Sequence, residues 1–437
     1  MCIRDRGTAV IIPSIDLMDG QTVQLVGGRE KALDAGDPQP LAERFRLAGE
    51  IAVIDLDAAL GRGSNAALVE GLLPLAPCRV GGGIRDLATA RRWLDAGAAK
   101  VILGTAAVPE LLRELPRARV IAALDSIDGE VVVEGWRKRT GRSVIERIAE
   151  LAPWVGGFLV TFVESEGRMQ GIDLARVEQV LAAVRGLDVR VTVAGGVTTV
   201  EELATIDRLG ADAQVGMALY KGQLELGDAI AAPLRSDRPD GLWPTVVVDE
   251  RGEALGLVYS SAESLRQAVR TRSGVYHSRQ RGVWTKGEGS GATQELLRID
   301  LDCDRDALRF VVRQHGVGFC HNATRSCWGE SGGVGALARR LAARVAAAPP
   351  GSYTRRLLDE PALLQAKLVE EAAELAAARA PSHVAAEAAD VLYFALVALA
   401  RAGVPLEQVE GELDRRALRL SRRPGDAKPA GDEVPAR

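Results

Sequence analysis

Three features of the sequence predict a multidomain chain: a (β/α)8 TIM barrel, then a small α+β metal-binding domain, then an all-α helical domain. The first is an internal repeat across the N-terminal half. The second is a crowding of aspartates and cysteines between Asp302 and Cys327. The third is a pair of apolar, acid-bearing helical segments beyond Tyr353. The length of 437 residues suits this division, because a single core stops growing at about 250–300 residues. The expected boundaries are 7–235 for the barrel, 236–330 for the metal domain, 331–352 for a linker helix, 353–421 for the helical domain and 422–437 for a disordered tail. The opening MCIRDR resembles vector or adapter sequence and is set apart.

Composition narrows the classes. Apolar residues at 47% and charged residues at 26% are ordinary for a soluble globular protein. A net charge of -4 leaves no basic footprint, so no nucleic-acid partner is expected. The strongest apolar run, Val391 to Ala400, is far short of a membrane span. No charged-then-apolar leader opens the chain, so a cytoplasmic location is expected. In that reducing compartment five cysteines point to metal rather than disulfides.

The repeat pairs VGGGIRDLATARRWLDAGAAKVILGTA (80–106) with VAGGVTTVEELATIDRLGADAQVGMA (193–218). Upstream, SIDLMDGQTV (14–23) pairs with ALDSIDGEVV (123–132), matching Asp16 to Asp125 and Gly20 to Gly129. Strand-like runs ending near Asp16, Asp57, Gly81, Gly104, Asp125, Phe162, Ala194 and Gly216 alternate with amphipathic helices. That is a barrel of two half-barrels. Gly82 and Gly83, and Gly195 and Gly196, let backbone N–H groups approach an anion at the strand ends. Gly104 with Thr105, and Gly216 with Met217, complete two phosphate cradles. Two cradles imply a substrate phosphorylated at both ends, with Asp16 and Asp125 as a base and acid pair between them. A single Gly-Gly turn is usually only a turn; two symmetric copies favour the site.

IIPSIDLMDG, VGGGIRD, LGTAAV, ALDSIDG and VAGGV resemble the phosphoribosylformimino-aminoimidazole-carboxamide ribotide isomerases over residues 10–230. The resemblance implies a metal-free aldose-to-ketose rearrangement, with Asp16 as proton acceptor, Asp125 as donor and Thr161 as the strand-six threonine. The family's Thr-Asp-x-x-x-Asp-Gly is TFVESEG here, so Phe162 and Glu166 replace two aspartates, and Gln24 stands where an arginine is common. The IDLMDG opening disfavours the sister imidazole glycerol phosphate synthase cyclase. A barrel kept only as a scaffold is the alternative.

SDRPDGLWPTVVVDE (236–250) interrupts the barrel pattern. In LLRIDLDCDRDAL, an extended strand would set Asp302, Asp304 and Asp306 on one face, as hard oxygen ligands for Mg²⁺. Cys303, on the other face, can join Cys320 and Cys327 at Zn²⁺, leaving a fourth position for a catalytic water. Alternating aspartates alone are usually a solvated strand; the three thiols and His321 shift the balance. GLVYSS, YHSRQRGVWTKGEGSG, DCDRDAL and GFCHNATRSCWG resemble the phosphoribosyl-AMP cyclohydrolases. That resemblance implies hydrolytic opening of an adenine ring, zinc on the three cysteines with Cys303 crossing a homodimer, and magnesium on the three aspartates. Arg279, Arg281, Lys286 and Ser290 are expected substrate contacts, His321 a proton shuttle, and His277 a packing or peripheral residue.

Beyond the Ala/Arg-rich segment 332–352, LLQAKLVEEAAELAAA carries Glu371 and Glu374, and AAEAADVLYFALVALA carries Glu387 and Asp390. Each pair is spaced i,i+3 on one helix face. Packed antiparallel, the helices gather four carboxylates that repel one another unless cations neutralise them. One such pair is ordinarily a solvated face. The combination resembles the all-α phosphoribosyl-ATP pyrophosphatases, which implies Mg²⁺ on these four residues and a phosphate contact from Lys367. DRPDGL, SYTRRL, EAADVLYFAL and RRPGDAKP together resemble the middle of the fungal multifunctional histidine proteins. The implied substrates are small phosphoribosyl nucleotides in three consecutive reactions. A non-catalytic nucleotide or metal sensor is the weaker alternative, since nothing resembles an output domain.

Overall fold

The computed structural model describes residues 10–27 and 30–421; the opening MCIRDR and the tail 422–437 lie outside the described residues. Eight parallel strands close on one another: β1 (Ile11–Met18), β2 (Ile51–Asp55), β3 (Cys78–Gly81), β4 (Lys100–Leu103), β5 (Val120–Ile127), β6 (Gly157–Phe162), β7 (Arg190–Ala194) and β8 (Asp212–Val215). β8 pairs back onto β1 in parallel register, with Ile11 opposite Ala213. The second strand stops at Asp55 rather than near Asp57, because Asp55 caps a short helix, Leu56–Leu60, by accepting from the Ala58 N–H.

The two half-barrels repeat down to their turns. Each opens with a long strand followed by a hairpin, Gln21–Val26 with Glu30–Gly36 in the first half and Glu130–Val133 with Lys138–Ser143 in the second. Asp19-Gly20 and Asp128-Gly129 both hold positive φ at their two residues (51° and 76°, 55° and 81°). Asp-Gly suits such a turn, since two left-handed residues match the twist of the strands.

Inside the barrel the side chains form layers. Toward the strand N-termini, Arg79 is 3% exposed and pairs with Glu50 at 2.6 Å and Asp212 at 3.8 Å, while its Nη1 donates to Thr192 at 2.7 Å. Lys100 adds a second contact to Glu50 at 2.7 Å, and Arg190 reaches both oxygens of Asp212 at 2.8 Å. Burial works against ionised Glu50, yet the Arg79 and Lys100 charges hold its carboxyl down at about 2. Above this floor lie Ile102, Ile121, Leu159 and Ala194, with Ile54 and Ala123 packed against them. The strand C-termini are left open.

A six-stranded sheet follows: β9 (Trp243–Val248), β10 (Ala254–Ser260), β11 (Val275–Ser278), β12 (Gly282–Thr285), β13 (Gln294–Leu301) and β14 (Leu308–Gln314), in the order β12-β11-β10-β9-β14-β13. Only β9 and β14 run parallel; the other pairs are antiparallel. β13 ends at Leu301, so Asp302, Asp304 and Asp306 stand on the loop that follows and not on one face of a strand.

The chain divides into two compact units, Val317–Ala417 and the remainder, so the barrel and the six-stranded sheet share one unit. The second unit holds the helices Gly333–Ala347, Tyr353–Asp359, Pro361–Ala377, Pro381–Ala402 and most of Leu406–Leu418. Its core is Leu341, Leu357, Leu364, Phe394, Leu396 and Val397. The segment expected as a linker therefore contributes Leu341 to that core, because its apolar residues recur at helical spacing. The apolar run at Val391 lies within a 22-residue helix, which length and composition alone would allow to cross a membrane. That helix carries Glu387 and Asp390 and gives three side chains to the core.

The floor yields a stability prediction. Arg79→Met leaves Glu50 and Asp212 buried without their shared guanidinium, which should cost about 3–5 kcal/mol in urea unfolding of the barrel. Glu50's folded pKa lies below its ordinary 4.5, so its contribution is complete above that value and fades as pH falls toward 2. A variant as stable as the parent at pH 7 would contradict this role.

Candidate functional site

A cavity of about 710 Å³ opens at the C-terminal ends of the barrel strands. Every barrel residue expected at the site lines it: Asp16, Asp125, Thr161 and Glu166 together with Gly82, Gly83, Gly104, Thr105, Gly195, Gly196, Gly216 and Met217. The glycine pairs are required by close approach. Gly82 (φ +92°) and Gly195 (φ +90°) occupy equivalent turns, and a Cβ on either would strike a carbonyl oxygen of the preceding strand, Asp55 O or Phe162 O. The turns bring the backbone against the cavity, the setting in which successive N–H groups bind anions in other proteins.

Between the turns sit three carboxylates. Asp16 accepts from Ser14 Oγ at 2.8 Å and from Gln24 Nε2 at 3.3 Å. Burial pushes it up to about 6 against those bonds. Asp125 is raised by burial too, opposed by hydrogen bonds from Thr161 and from Trp136 Nε1 at 2.8 Å. Glu166 is carried furthest, to about 8, by burial and by repulsion from Asp16 and Asp125. Among the described residues none of the three has an ion pair, so protonation relieves the charge. Near neutral pH the cluster thus offers an ionised Asp16 beside a protonated Glu166, which is a base next to an acid. Phe162, where the family has an aspartate, is buried. Trp136 escaped the sequence reading; the second Asp-Gly hairpin, equivalent to the first, was the signal that a tip residue would fold back over Asp125.

In the sheet of the first unit, Arg279 and Arg281 line a smaller cavity of about 210 Å³ with Tyr259, His277 and Trp284. The Arg279 guanidinium lies 5.0 Å from the Tyr259 ring, and that of Arg281 lies 5.8 Å from the Trp284 ring. His277 Nδ1 sits 3.1 Å from Ser261 Oγ. Lys286 and Ser290 do not join this cavity: Lys286 Nζ turns inward to Ala292 O at 3.2 Å, and Ser290 Oγ accepts from Ala292 N. The carboxylate oxygens of Asp302, Asp304 and Asp306 gather within 4.8 Å of one another. Asp306 is raised by the proton it shares with Asp302 and by the neighbouring charges. Such a set of hard oxygens fits a divalent cation of the Mg²⁺ type.

Cys303 is exposed and belongs to the first unit; Cys320 and Cys327 belong to the second, where Cys320 is buried and Cys327 exposed. The Cys320 thiol is drawn below its ordinary range by the Asn322 N–H and the Thr324 side chain, which suits a soft-metal ligand. Exposed His321 has Nδ1 3.9 Å from Cys320 Sγ. Farther along, Glu371, Glu374 and Glu387 form a second cluster within 4.8 Å, with Glu371 buried. Glu374 is raised by partial desolvation and by the charges of Glu387, Glu371 and Glu370. Asp390, expected as a fourth member, lies outside this cluster and is exposed. Lys367 already pairs with Glu371 at 2.7 Å and Glu370 at 2.9 Å.

A barrel with paired glycine turns around one cavity, joined to two modules with clustered acids, defines a fused chain of small-molecule metabolism. Family profiles agree along its length: Histidine biosynthesis protein over residues 10–225, Phosphoribosyl-AMP cyclohydrolase over 256–329 and Phosphoribosyl-ATP pyrophosphohydrolase over 334–417. Across 234 residues the chain is 33% identical to a phosphoribosyl imidazole-4-carboxamide isomerase of Methanocaldococcus jannaschii, covering 98% of that protein and 51% of this one. The chain belongs, through its barrel, to that isomerase family. It is also 40% identical over 339 residues to a histidine biosynthesis trifunctional protein of Komagataella pastoris, covering 76% of this chain and 37% of the relative. With a bifunctional histidine biosynthesis protein of Schizosaccharomyces pombe it shares 49% identity over 211 residues, 48% of this chain and 51% of the relative. The chain thus spans 37% and 51% of the lengths of these two fungal relatives.

The glycine turns can be tested alone. Gly195→Ala should destabilise the barrel by about 1–3 kcal/mol from the left-handed backbone it imposes on alanine, with the carbonyl clash in addition. Inorganic phosphate should then no longer raise its melting temperature. Parent stability with intact phosphate stabilisation would show that the turn carries no such constraint.

Proposed function

We propose that the chain catalyses three consecutive steps of histidine biosynthesis. It removes pyrophosphate from phosphoribosyl-ATP, opens the adenine ring of phosphoribosyl-AMP by hydrolysis, and isomerises the ring-opened aldose to a ketose. The observation that carries this reading is the succession, on one chain, of three family matches in which each matched segment has its own cluster of titratable groups.

In the barrel, the glycine turns hold the two phosphates, Asp16 takes the proton from the carbon beside the ring-opened sugar's imine, and Asp125 delivers one to the departing ring oxygen. Trp136 and Thr161 orient Asp125, which begins the step holding its proton, and protonated Glu166 adds no further negative charge to the centre. In the middle domain, Arg279 and Arg281 take the substrate's phosphoribosyl end, His321 relays protons, and Asp302, Asp304 and Asp306 would hold Mg²⁺. Cys303, Cys320 and Cys327 would hold Zn²⁺; the exposure of Cys303 suits a ligand offered across a homodimer. In the helical unit Glu371, Glu374 and Glu387 would hold Mg²⁺, with Lys367 beside them for a phosphate. When bound, zinc supplies Lewis acidity and magnesium neutralises phosphate charge. The reading places the chain in the cytoplasm with small phosphoribosyl nucleotides as substrates.

The test is conversion of phosphoribosyl-ATP by the whole purified chain, with each intermediate followed by chromatography. Sequential appearance of all three products is expected; accumulation of the ring-opened aldose would leave the barrel a scaffold. For the isomerase step, kcat/KM should fall below about pH 6 as Asp16 gains its proton and above about pH 8 as Glu166 loses one. Glu166→Gln should remove the alkaline limb and keep the acid one. An unchanged alkaline limb would exclude Glu166 from the active protonation state.

A further inference from the structure

The metal loop of the sheet is tied to the barrel by one residue set between its acids. Arg305 is 4% exposed and holds φ +69°, a left-handed conformation uncommon for a residue with a side chain. Its Nε and Nη2 reach Asp207 Oδ1 at 3.3 and 3.1 Å. Asp207 stands near the C-terminal end of the barrel helix Val200–Leu209 and is itself buried. The Arg305 Nη1 donates to Asp302 O at 3.2 Å, and the Arg305 carbonyl accepts from Arg235 N, on the segment leaving the barrel, at 2.8 Å. Both the side chain and the backbone of Arg305 are therefore fixed from the barrel side. The flanking residues Asp304 and Asp306 then turn outward to meet Asp302, whose Oδ1 accepts from the N–H groups of Asp306 and Ala307 at 3.0 and 3.1 Å.

The junction around this tether is close. Helix Leu226–Ala231 approaches helix Ala262–Thr271 so tightly that a Cβ on Gly227 would lie 2.8 Å from Arg266 Cα, and Asp228 pairs with Arg266 at 3.0 Å. Glu43 pairs with Arg272 at 2.8 Å. Asp207 and Glu43 both sit toward the C-terminal ends of their helices, the ends leading into the strands, away from the cavity that holds Asp16 and Asp125.

We propose that the barrel completes the metal loop: Asp207, acting through Arg305, is the positioning residue that sets the geometry in which Asp302, Asp304 and Asp306 bind a divalent cation. This rests on the reading of those three aspartates as cation ligands. Without Asp207 the guanidinium is left buried and unpaired, which favours its escape from the interface. The loop then loses its left-handed anchor, and the freed cation of Arg305 competes for the carboxylates it formerly organised. The barrel would thereby serve two reactions, its own at one end and the ring-opening step at the other.

The experiment titrates Mn²⁺, a probe for Mg²⁺, by electron paramagnetic resonance on the full chain with the helical cluster silenced by Glu374→Gln and Glu387→Gln. Outer residues that orient metal ligands are typically worth 10–100-fold in affinity. Asp207→Asn should weaken manganese binding by about that factor, Asp207→Glu should restore most of it, and isomerisation in the barrel should be unchanged. Arg305→Gly keeps the left-handed turn while deleting the tether, and should weaken binding in the same way; it decides the matter alone if Asp207→Asn does not fold. Parent affinity in the variants that fold, with binding lost in Asp302→Asn, would overturn the positioning role. Binding that survives Asp302→Asn would overturn the metal reading of the loop, and this proposal with it.

Discussion

A carboxylate removed from water has to find a positive partner or a proton, and the differing answers to that requirement organise this protein. At the barrel floor, Glu50 and Asp212 are paired with Arg79, Lys100 and Arg190, although burial still raises Asp212. At the mouth, Asp16 and Asp125 have hydrogen-bond donors, none of Asp16, Asp125 and Glu166 has an ion pair among the described residues, and their affinities for protons rise together. In the loop after β13 and on the helices of the second unit, carboxylates crowd within 4.8 Å. There the answer we propose is a divalent ion.

Under the proposed function, this division separates proton transfer at the barrel mouth from hydrolysis at the two acidic clusters. An isomerisation needs groups that exchange protons near neutral pH, and burial without countercharge supplies them. A floor cation reaching the mouth would lower the three acids and remove that capacity. Conversely, loss of Arg79 from the floor would leave acids there that titrate to no purpose and cost stability.

Much of this was legible in the sequence. The repeat placed Asp16 opposite Asp125 and the glycine pairs at equivalent turns because half-barrel symmetry is written residue by residue, and all of them line one cavity. The spacing of Glu371 and Glu374 with Glu387 was readable because helical periodicity fixes which side chains share a face. Other features depend on tertiary contacts that no local pattern encodes. Asp302, Asp304 and Asp306 alternate as in a strand, but the chain leaves the sheet at Leu301 and turns at Arg305, held by Asp207 nearly a hundred positions earlier. Lys286 and Ser290 sit in a glycine-rich segment suited to substrate binding, yet both engage their own loop at Ala292. Asp390 shares the spacing of a ligand but lies outside the cluster of Glu371, Glu374 and Glu387, and Trp136 reaches Asp125 only because its hairpin folds over the mouth.

The central claim is that the chain relieves carboxylate crowding with protons at the barrel mouth and with cations elsewhere. Anomalous diffraction from crystals grown in Mn²⁺ tests it most directly. Manganese is predicted among Asp302, Asp304 and Asp306 and among Glu371, Glu374 and Glu387, with none between Asp16, Asp125 and Glu166. Manganese at the barrel mouth, or at neither acidic cluster, would contradict the account.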